Sequence, residues 1–350
     1  MNEPDGSPYQ VLAPDGTALA GRADIGLSDD ELRDLLRFMT VARRLDEECV
    51  RLHAEGELAV YPPFMGQEAA QVGSAFALAP DDFVFPSFRE LAAAIVRGVD
   101  PVTYLEYHRG TWHGGPWDVM TERFAPVCVP LATQIVHAVG YAMGMKLDER
   151  PVATLAYFGD GAASEGDFHE ACNWAGVFEA PVVLFCQNNG WAISLPYAEQ
   201  AASSVVSRAD GYGIPGVRVD GNDVLAVWKV TTDAAERARS GKGPTLIEAV
   251  TFRMGPHLTN DDPSKYRDDE EVERWRKLDP IERFRRYLLS EKVVTEGDVE
   301  ALATTANDFA LRVRAGVVST PAPDPADLFE MTYEGIPLDL THQQRAMDDD

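Results

Sequence analysis

Two short apolar runs, PVATLAYF at 151–158 and PVVLFC at 181–186, flank a helical stretch and leave this chain little choice of local architecture. Their spacing is that of one βαβ unit, two parallel strands joined by a helical crossover. The first run ends in Gly159-Asp160-Gly161 and the second in Asn188-Asn189. In an open parallel sheet both turns lie at the carboxyl edge, where ligands bind. A carboxylate, Asp160, and a carboxamide, Asn189, are thereby set side by side. Hard oxygen ligands of this kind suit Mg²⁺ or Ca²⁺, and Mg²⁺ keeps coordination positions open for phosphates. Glycines on both sides of Asp160 allow backbone to approach a diphosphate closely. A Gly-Asp-Gly turn alone is an ordinary turn; the spacing and the strand context make this one a candidate site.

The words around the two turns, GDGAASEGDFHEACNWAG and FCQNNGWAIS, extend the pattern. Together they resemble the thiamine diphosphate motif of one family, the α subunit of the decarboxylating component of 2-oxo acid dehydrogenase complexes. The resemblance runs from about Ser28 to Leu340. It implies a thiamine diphosphate-binding α/β fold, a three-layer, doubly wound, mostly parallel sheet with additional C-terminal helices. It also implies Mg²⁺ held by Asp160, Asn189 and the backbone carbonyl of Trp191, with Gly159, Gly161, Ala162 and Gln187 against the cofactor. Phe88-Arg89-Glu90 is similar to a family segment in which an aromatic ring and an arginine line the cofactor site, the guanidinium meeting the diphosphate. PLATQ at 130–134 resembles a family turn whose backbone, around Leu131 here, packs on the cofactor; the segment also reads as a plain helix start. FRMGPHLTNDDPSKYR, carrying Arg253, His257, Asp261, Asp262, Tyr266 and Arg267, resembles the loop that closes over the diphosphate. His257 is then the catalytic group. Leu258 stands where mitochondrial relatives carry a regulatory serine, so control by phosphorylation there is not expected.

The family's reaction is oxidative decarboxylation of a 2-oxo acid, with the acyl group passed to a lipoyl-bearing acyltransferase. The cofactor-activating glutamate comes from the other half of the pocket. The chain is accounted for by one domain, 28–318, with an arm at 1–27 and an extended tail at 319–350. That other half is therefore expected from a β subunit, in an assembly of two α with two β chains. Branched-chain substrates of the 3-methyl-2-oxobutanoate type are favoured, with pyruvate as the alternative. A non-catalytic interaction subunit retaining the fold is the reading from another class, and the intact Arg89, Asp160, Asn189 and His257 argue against it.

Composition narrows the partners. Fifty-seven acids against 31 bases give a net charge of −26, which repels nucleic acid and anionic membranes. The same charge is equally well read as solvated acidic faces. Cys49, Cys128, Cys172 and Cys186 lack CxxC spacing and read as reduced. No run is apolar enough to span a membrane and no signal-type segment opens the chain, which points to the cytoplasm.

Ser28-Asp29-Asp30-Glu31 predicts a helix start as a capping box, with Gly56 as its stop. Asn222 is expected to start the helix NDVLAVWKVTTDAAERARSG. AEQAASSVVSRADGYG is expected as helix plus loop, 255–268 as a long loop, 1–27 as a loosely ordered arm and the terminal THQQRAMDDD as disordered. Gly211–Gly216 matches GxGxxG, but it follows a helix and precedes a strand, the reverse of a dinucleotide site.

Overall fold

A computed structural model describes residues 6–19, 21, 25–110, 117–322, 324, 326–330 and 333–348; expectations for the remaining positions of the arm and tail lie outside the described residues. The capping box is present. Ser28 accepts from the Glu31 N–H, and the Glu31 carboxylate accepts from the Ser28 N–H, at the start of α1 (Asp29–Ala54). Such a cap contributes about 1 kcal/mol, whereas each buried leucine contributes about 2. The stripe of Leu32, Leu35, Leu36, Met39, Leu45 and Leu52, all buried, therefore holds this helix, and the cap sets where it begins.

The chain continues through α2 (Glu68–Phe76), β1 (Phe83–Phe85), α3 (Leu91–Val96), α4 (Pro101–Arg109), α5 (Val119–Glu122) and α6 (Thr133–Leu147). The βαβ unit follows as β2 (Thr154–Gly159), α7 (Gly166–Val177) and β3 (Val182–Asn188). After it come a two-stranded ribbon, β4 (Trp191–Ala192) with β5 (Leu195–Pro196), then α8 (Tyr197–Gln200), β6 (Gly216–Asp220), α9 (Val224–Arg239) and β7 (Thr245–Val250). The main sheet runs β1-β2-β3-β7-β6 with every pairing parallel.

Alternation along β2 sorts the core into two layers. Leu155 and Tyr157 join Val183, Phe185 and Ile247 under α1, α2 and α9, while Ala156 and Phe158 join Leu184 and Cys186 under α6 and α7. The crossovers β2 to β3 and β6 to β7 run in opposite directions, so their helices cover opposite faces, as right-handed connections require. The result is the expected three-layer, doubly wound sheet. Helices α10 (Asp269–Arg276), α11 (Pro280–Ser290) and α12 (Glu296–Ser319) follow, with α12 packed along α1. All four cysteines are unpaired, and among the described residues no helix is long and apolar enough to cross a membrane.

Four local expectations need correction. The described part of the arm is docked rather than loose: the Tyr9 N–H donates to Arg218, its carbonyl accepts from Asp220, and Leu12 is fully buried. Asp223, not Asn222, caps α9, accepting from the Leu225 and Ala226 amides. Asn222 instead holds Thr251 and the Leu278 carbonyl. The connection after β5 has only the single turn of α8 and a 3₁₀ stretch at Val206–Tyr212. The tail is not wholly extended, since it forms α13 (Asp327–Glu330) and α14 (Leu338–Asp348); the terminal segment expected as disordered falls largely in the latter.

The Asp223 carboxylate also accepts from the Val11 and Leu12 amides and lies 3.6 Å from the buried Arg283 guanidinium. One buried group thus ties arm, α9 and α11 together. Asp223→Ala takes the acceptor from four amides (Val11, Leu12, Leu225 and Ala226) and leaves Arg283 with Asp220 as its remaining carboxylate, and is expected to cost about 3 kcal/mol. Urea unfolding measures the loss, and chymotrypsin should then cut after Tyr9 and Leu12 sooner.

Candidate active site

Because every strand of the main sheet is parallel, the turns after β2, β3 and β7 meet at one edge. They surround a cavity of about 650 Å³. Phe88, Arg89, Leu131, Gly159, Asp160, Gly161, Ala162, Gln187, Asn189, Trp191 and His257, all picked out from sequence, line this single cavity.

Asp160 leaves β2 with its carboxylate almost wholly buried, and burial raises its pKa to about 6. Its two oxygens accept from the Asn189 N–H and from Gln200 Nε2, both at 3.3 Å. Asn189, at the end of β3, accepts from the Trp191 N–H at 3.2 Å and donates to Gln67 Oε1 at 3.1 Å. Gly190 turns the chain between them at φ +85°, a conformation that a side chain would strain. The Trp191 carbonyl accepts from Arg253 Nη1 at 3.3 Å. Among the described residues no three His, Cys, Asp or Glu side chains gather in metal-binding geometry. A divalent ion here would meet one carboxylate, one amide oxygen and one carbonyl. That is a hard oxygen set, incomplete without oxygens from a ligand.

Opposite this pair stand two arginines and a histidine. Arg89, beside the Phe88 ring, donates from Nη1 to the Pro63 carbonyl at 2.6 Å and from Nη2 to His257 Nδ1 at 3.2 Å. Arg253 donates to the Ile193 carbonyl at 2.9 Å and to the same His257 nitrogen at 3.1 Å. A guanidinium can only donate, so Nδ1 must be an acceptor and the imidazole is the neutral Nε2–H tautomer. Burial, then Arg89 and Arg253, push its pKa down to about 3. Burial and the neighbouring Arg253 likewise lower Arg89 to about 9. Among the described residues neither arginine forms an ion pair, which leaves two buried positive charges with neutral partners. That arrangement calls for an anion.

The loop after β7 holds His257 from behind. Its N–H donates to Asp261 at 2.9 Å, and Asp261 accepts from the Tyr266 hydroxyl. Arg267 braces the loop base through the Met254 carbonyl at 2.8 Å. Asp262 stays outside, capping a 3₁₀ turn. Leu258 also lines the cavity.

Sequence reasoning did not place Gln67, Gln200, Glu90 or Arg253 in the site. Glu90 is buried and accepts from Gln187 Nε2 at 2.7 Å. Arg253 was visible in its loop, but nothing in the sequence showed that it shares a nitrogen with Arg89.

Residues 36–309 match the family described as dehydrogenase E1 component. The chain is 48% identical over 98% of its length to the 3-methyl-2-oxobutanoate dehydrogenase subunit alpha of Mycobacterium tuberculosis (strain ATCC 25618 / H37Rv), covering 94% of that protein. It is 38% identical over 95% of its length to the pyruvate dehydrogenase E1 component subunit alpha of Bacillus cereus, covering 90% of it, and 36% identical over 96% to that of Bacillus subtilis (strain 168), covering 91%.

The shared Nδ1 has a measurable consequence. In ¹⁵N-histidine spectra His257 should remain the neutral Nε2–H form between about pH 5 and 8, where an ordinary histidine titrates. Arg89→Met should raise its pKa by removing one neighbouring charge. An imidazolium at neutral pH would contradict the two-arginine geometry.

Proposed function

The chain belongs to the dehydrogenase E1 component family, and on that footing we propose that it is the α subunit of a thiamine diphosphate-dependent 2-oxo acid dehydrogenase taking branched 2-oxo acids of the 3-methyl-2-oxobutanoate kind. The observation that carries the reading is the convergence of Arg89, Arg253, Asp160 and Asn189 on one cavity. Two buried cations facing a buried carboxylate and amide suit a diphosphate bridged to a divalent cation. The branched substrate is supported by the greater likeness to the mycobacterial subunit than to the Bacillus pyruvate subunits.

The residues fit the cofactor on physical grounds. Asp160 is held at the limit of ionisation by burial, so a bound cation would favour its charged form. Arg89 and Arg253 would meet phosphate oxygens, and Mg²⁺ would sit on Asp160, Asn189 and the Trp191 carbonyl, displacing Arg253 from that carbonyl. When bound, thiamine diphosphate supplies the electron sink for decarboxylation. His257 contributes its free Nε2–H as a hydrogen-bond donor to the arriving oxo acid. Burial and the two arginines on Nδ1 favour the neutral ring, so it would orient and polarise the oxo acid through that donor.

The relatives are named as α subunits, which implies a β partner. Val129, Leu131, Ile193 and Leu195 line the cavity with exposed apolar side chains. Trp174 and Val177 of α7, Phe178 just after it and Leu147 of α6 are exposed on the outer layer. Such surfaces suit a large permanent interface. The assembly is then two α with two β, cytoplasmic, delivering the acyl group to a lipoyl-bearing acyltransferase.

Asp160→Ala should abolish Mg²⁺-dependent thiamine diphosphate binding, followed by tryptophan fluorescence, while the αβ assembly stays intact by gel filtration. Normal cofactor affinity in that variant would sink the metal assignment. His257→Ala should lower kcat by about 10²- to 10³-fold, as loss of one hydrogen-bond donor does, with cofactor binding only partly weakened. Given β subunit, Mg²⁺ and cofactor, the complex should decarboxylate 3-methyl-2-oxobutanoate with higher kcat/KM than pyruvate; the reverse order moves it to the pyruvate enzymes. Decarboxylation by the lone chain would overturn the two-subunit site.

A further inference from the structure

Gln67 takes no part in the reading above, yet it is fully buried, lines the cavity and is the partner of Asn189. Its place is fixed by the backbone on either side. Gly66, at φ +98°, lies so close to the end of β7 that a Cβ there would fall 2.3 Å from the Phe252 carbonyl oxygen. The Gly66 carbonyl accepts from Thr251 Oγ1 at 2.9 Å, and its N–H donates to Glu68 Oε2 at 2.9 Å. Gln67 follows at once as the first residue before α2, held against the edge where β3 and β7 end.

The orientation of the Asn189 amide follows from donors that have no choice. The Trp191 N–H can only donate, so the Asn189 atom 3.2 Å from it is the oxygen. The other end of that amide is therefore NH₂, and the atom it meets at 3.1 Å must be an oxygen, Gln67 Oε1. Gln67 Nε2 is then the atom left without a partner, and it is buried. Asn189 Oδ1 keeps a second lone pair, which is the one a cation would use. Rotating the amide by half a turn would put NH₂ against the Trp191 N–H and against the cation together.

We propose that Gln67 is a positioning residue of the cofactor site: by accepting from Asn189 Nδ2 it locks the amide with its oxygen turned to the divalent cation. The inference rests on the functional reading given above. Gln67 touches neither reacting atoms nor, in this role, the metal; it acts through Asn189. Partners that orient a ligand in this way are typically worth 10- to 100-fold in metal affinity.

The test uses the assembled α and β chains with thiamine diphosphate, and Mn²⁺ as the probe, its binding read by electron paramagnetic resonance. Gln67→Leu should weaken Mn²⁺ by about 10- to 100-fold. Gln67→Glu keeps the accepting oxygen and should bind Mn²⁺ within about threefold of wild type. Gln67→Met, close in length, replaces Gln67→Leu if the latter fails to assemble. In an Asn189→Ala background the loss from Gln67→Leu should vanish, because the residue through which it acts is gone. Unchanged Mn²⁺ affinity in Gln67→Leu, or the same loss with Asn189→Ala, overturns the positioning role. A wild-type assembly that binds no thiamine diphosphate overturns instead the functional reading on which it rests.

Discussion

Two guanidinium groups on one imidazole nitrogen are the arrangement from which the rest of the site follows. Arg89 reaches His257 from the turn after β1, and Arg253 reaches it from the strand-like segment after β7. Both are buried, and both are pulled below the ordinary arginine range chiefly by that burial. Taking a charge out of water costs several kcal/mol unless a counter-charge replaces the solvent. Here the immediate partners are neutral carbonyls and a neutral ring. The fold holds this unfavourable pair in place through its cores and through Arg267 and Asp261. A polyanion entering the cavity would find cations already desolvated, with little reorganisation left to make.

The remaining geometry serves the same edge. Asp160, Asn189 and Arg253 come from the ends of three adjacent strands, β2, β3 and β7, and a parallel sheet is what brings three carboxyl ends together. The strands themselves are buried on both faces, so the site is mounted on the least deformable part of the molecule. His257 and Leu258 lie instead on the loop after β7, whose regular structure is one 3₁₀ turn. On the proposed function, rigid anchors would hold the diphosphate and the loop-borne histidine would meet the substrate.

What the sequence disclosed depended on how local the cause was. The βαβ unit was legible because periodicity, strand ends and turn residues all lie within one short stretch. The capping box at Ser28 was legible for the same reason. The docking of the arm was not, because Tyr9 and Leu12 are held by residues about two hundred positions away, Arg218, Asp220 and Asp223. Asn222 and Asp223 are both good caps by type, and only the tertiary demand of Thr251 and Leu278 on Asn222 separates them. The helical turns of the tail were missed because prolines and a mixed composition hid any period. In the site, the residues at the strand ends were found and their orienting partners were not. Gln67 and Glu90 meet Asn189 and Gln187 from 122 and 97 positions away in sequence, so no local pattern announces them.

The cavity also bears on why this chain needs company. Its polar end carries a carboxylate, an amide, two guanidiniums and an imidazole, each held by named neighbours. Its other lining is apolar and partly uncovered, with Val129, Leu131, Ile193 and Leu195 exposed. Decarboxylation proceeds best where water is excluded, because a low dielectric strengthens the field of the flanking charges. The chain alone leaves that side of the cavity open to solvent. A partner laid over the exposed apolar rim would bury it and dry the site in one step. Association is then part of building the active site, not an accessory to it.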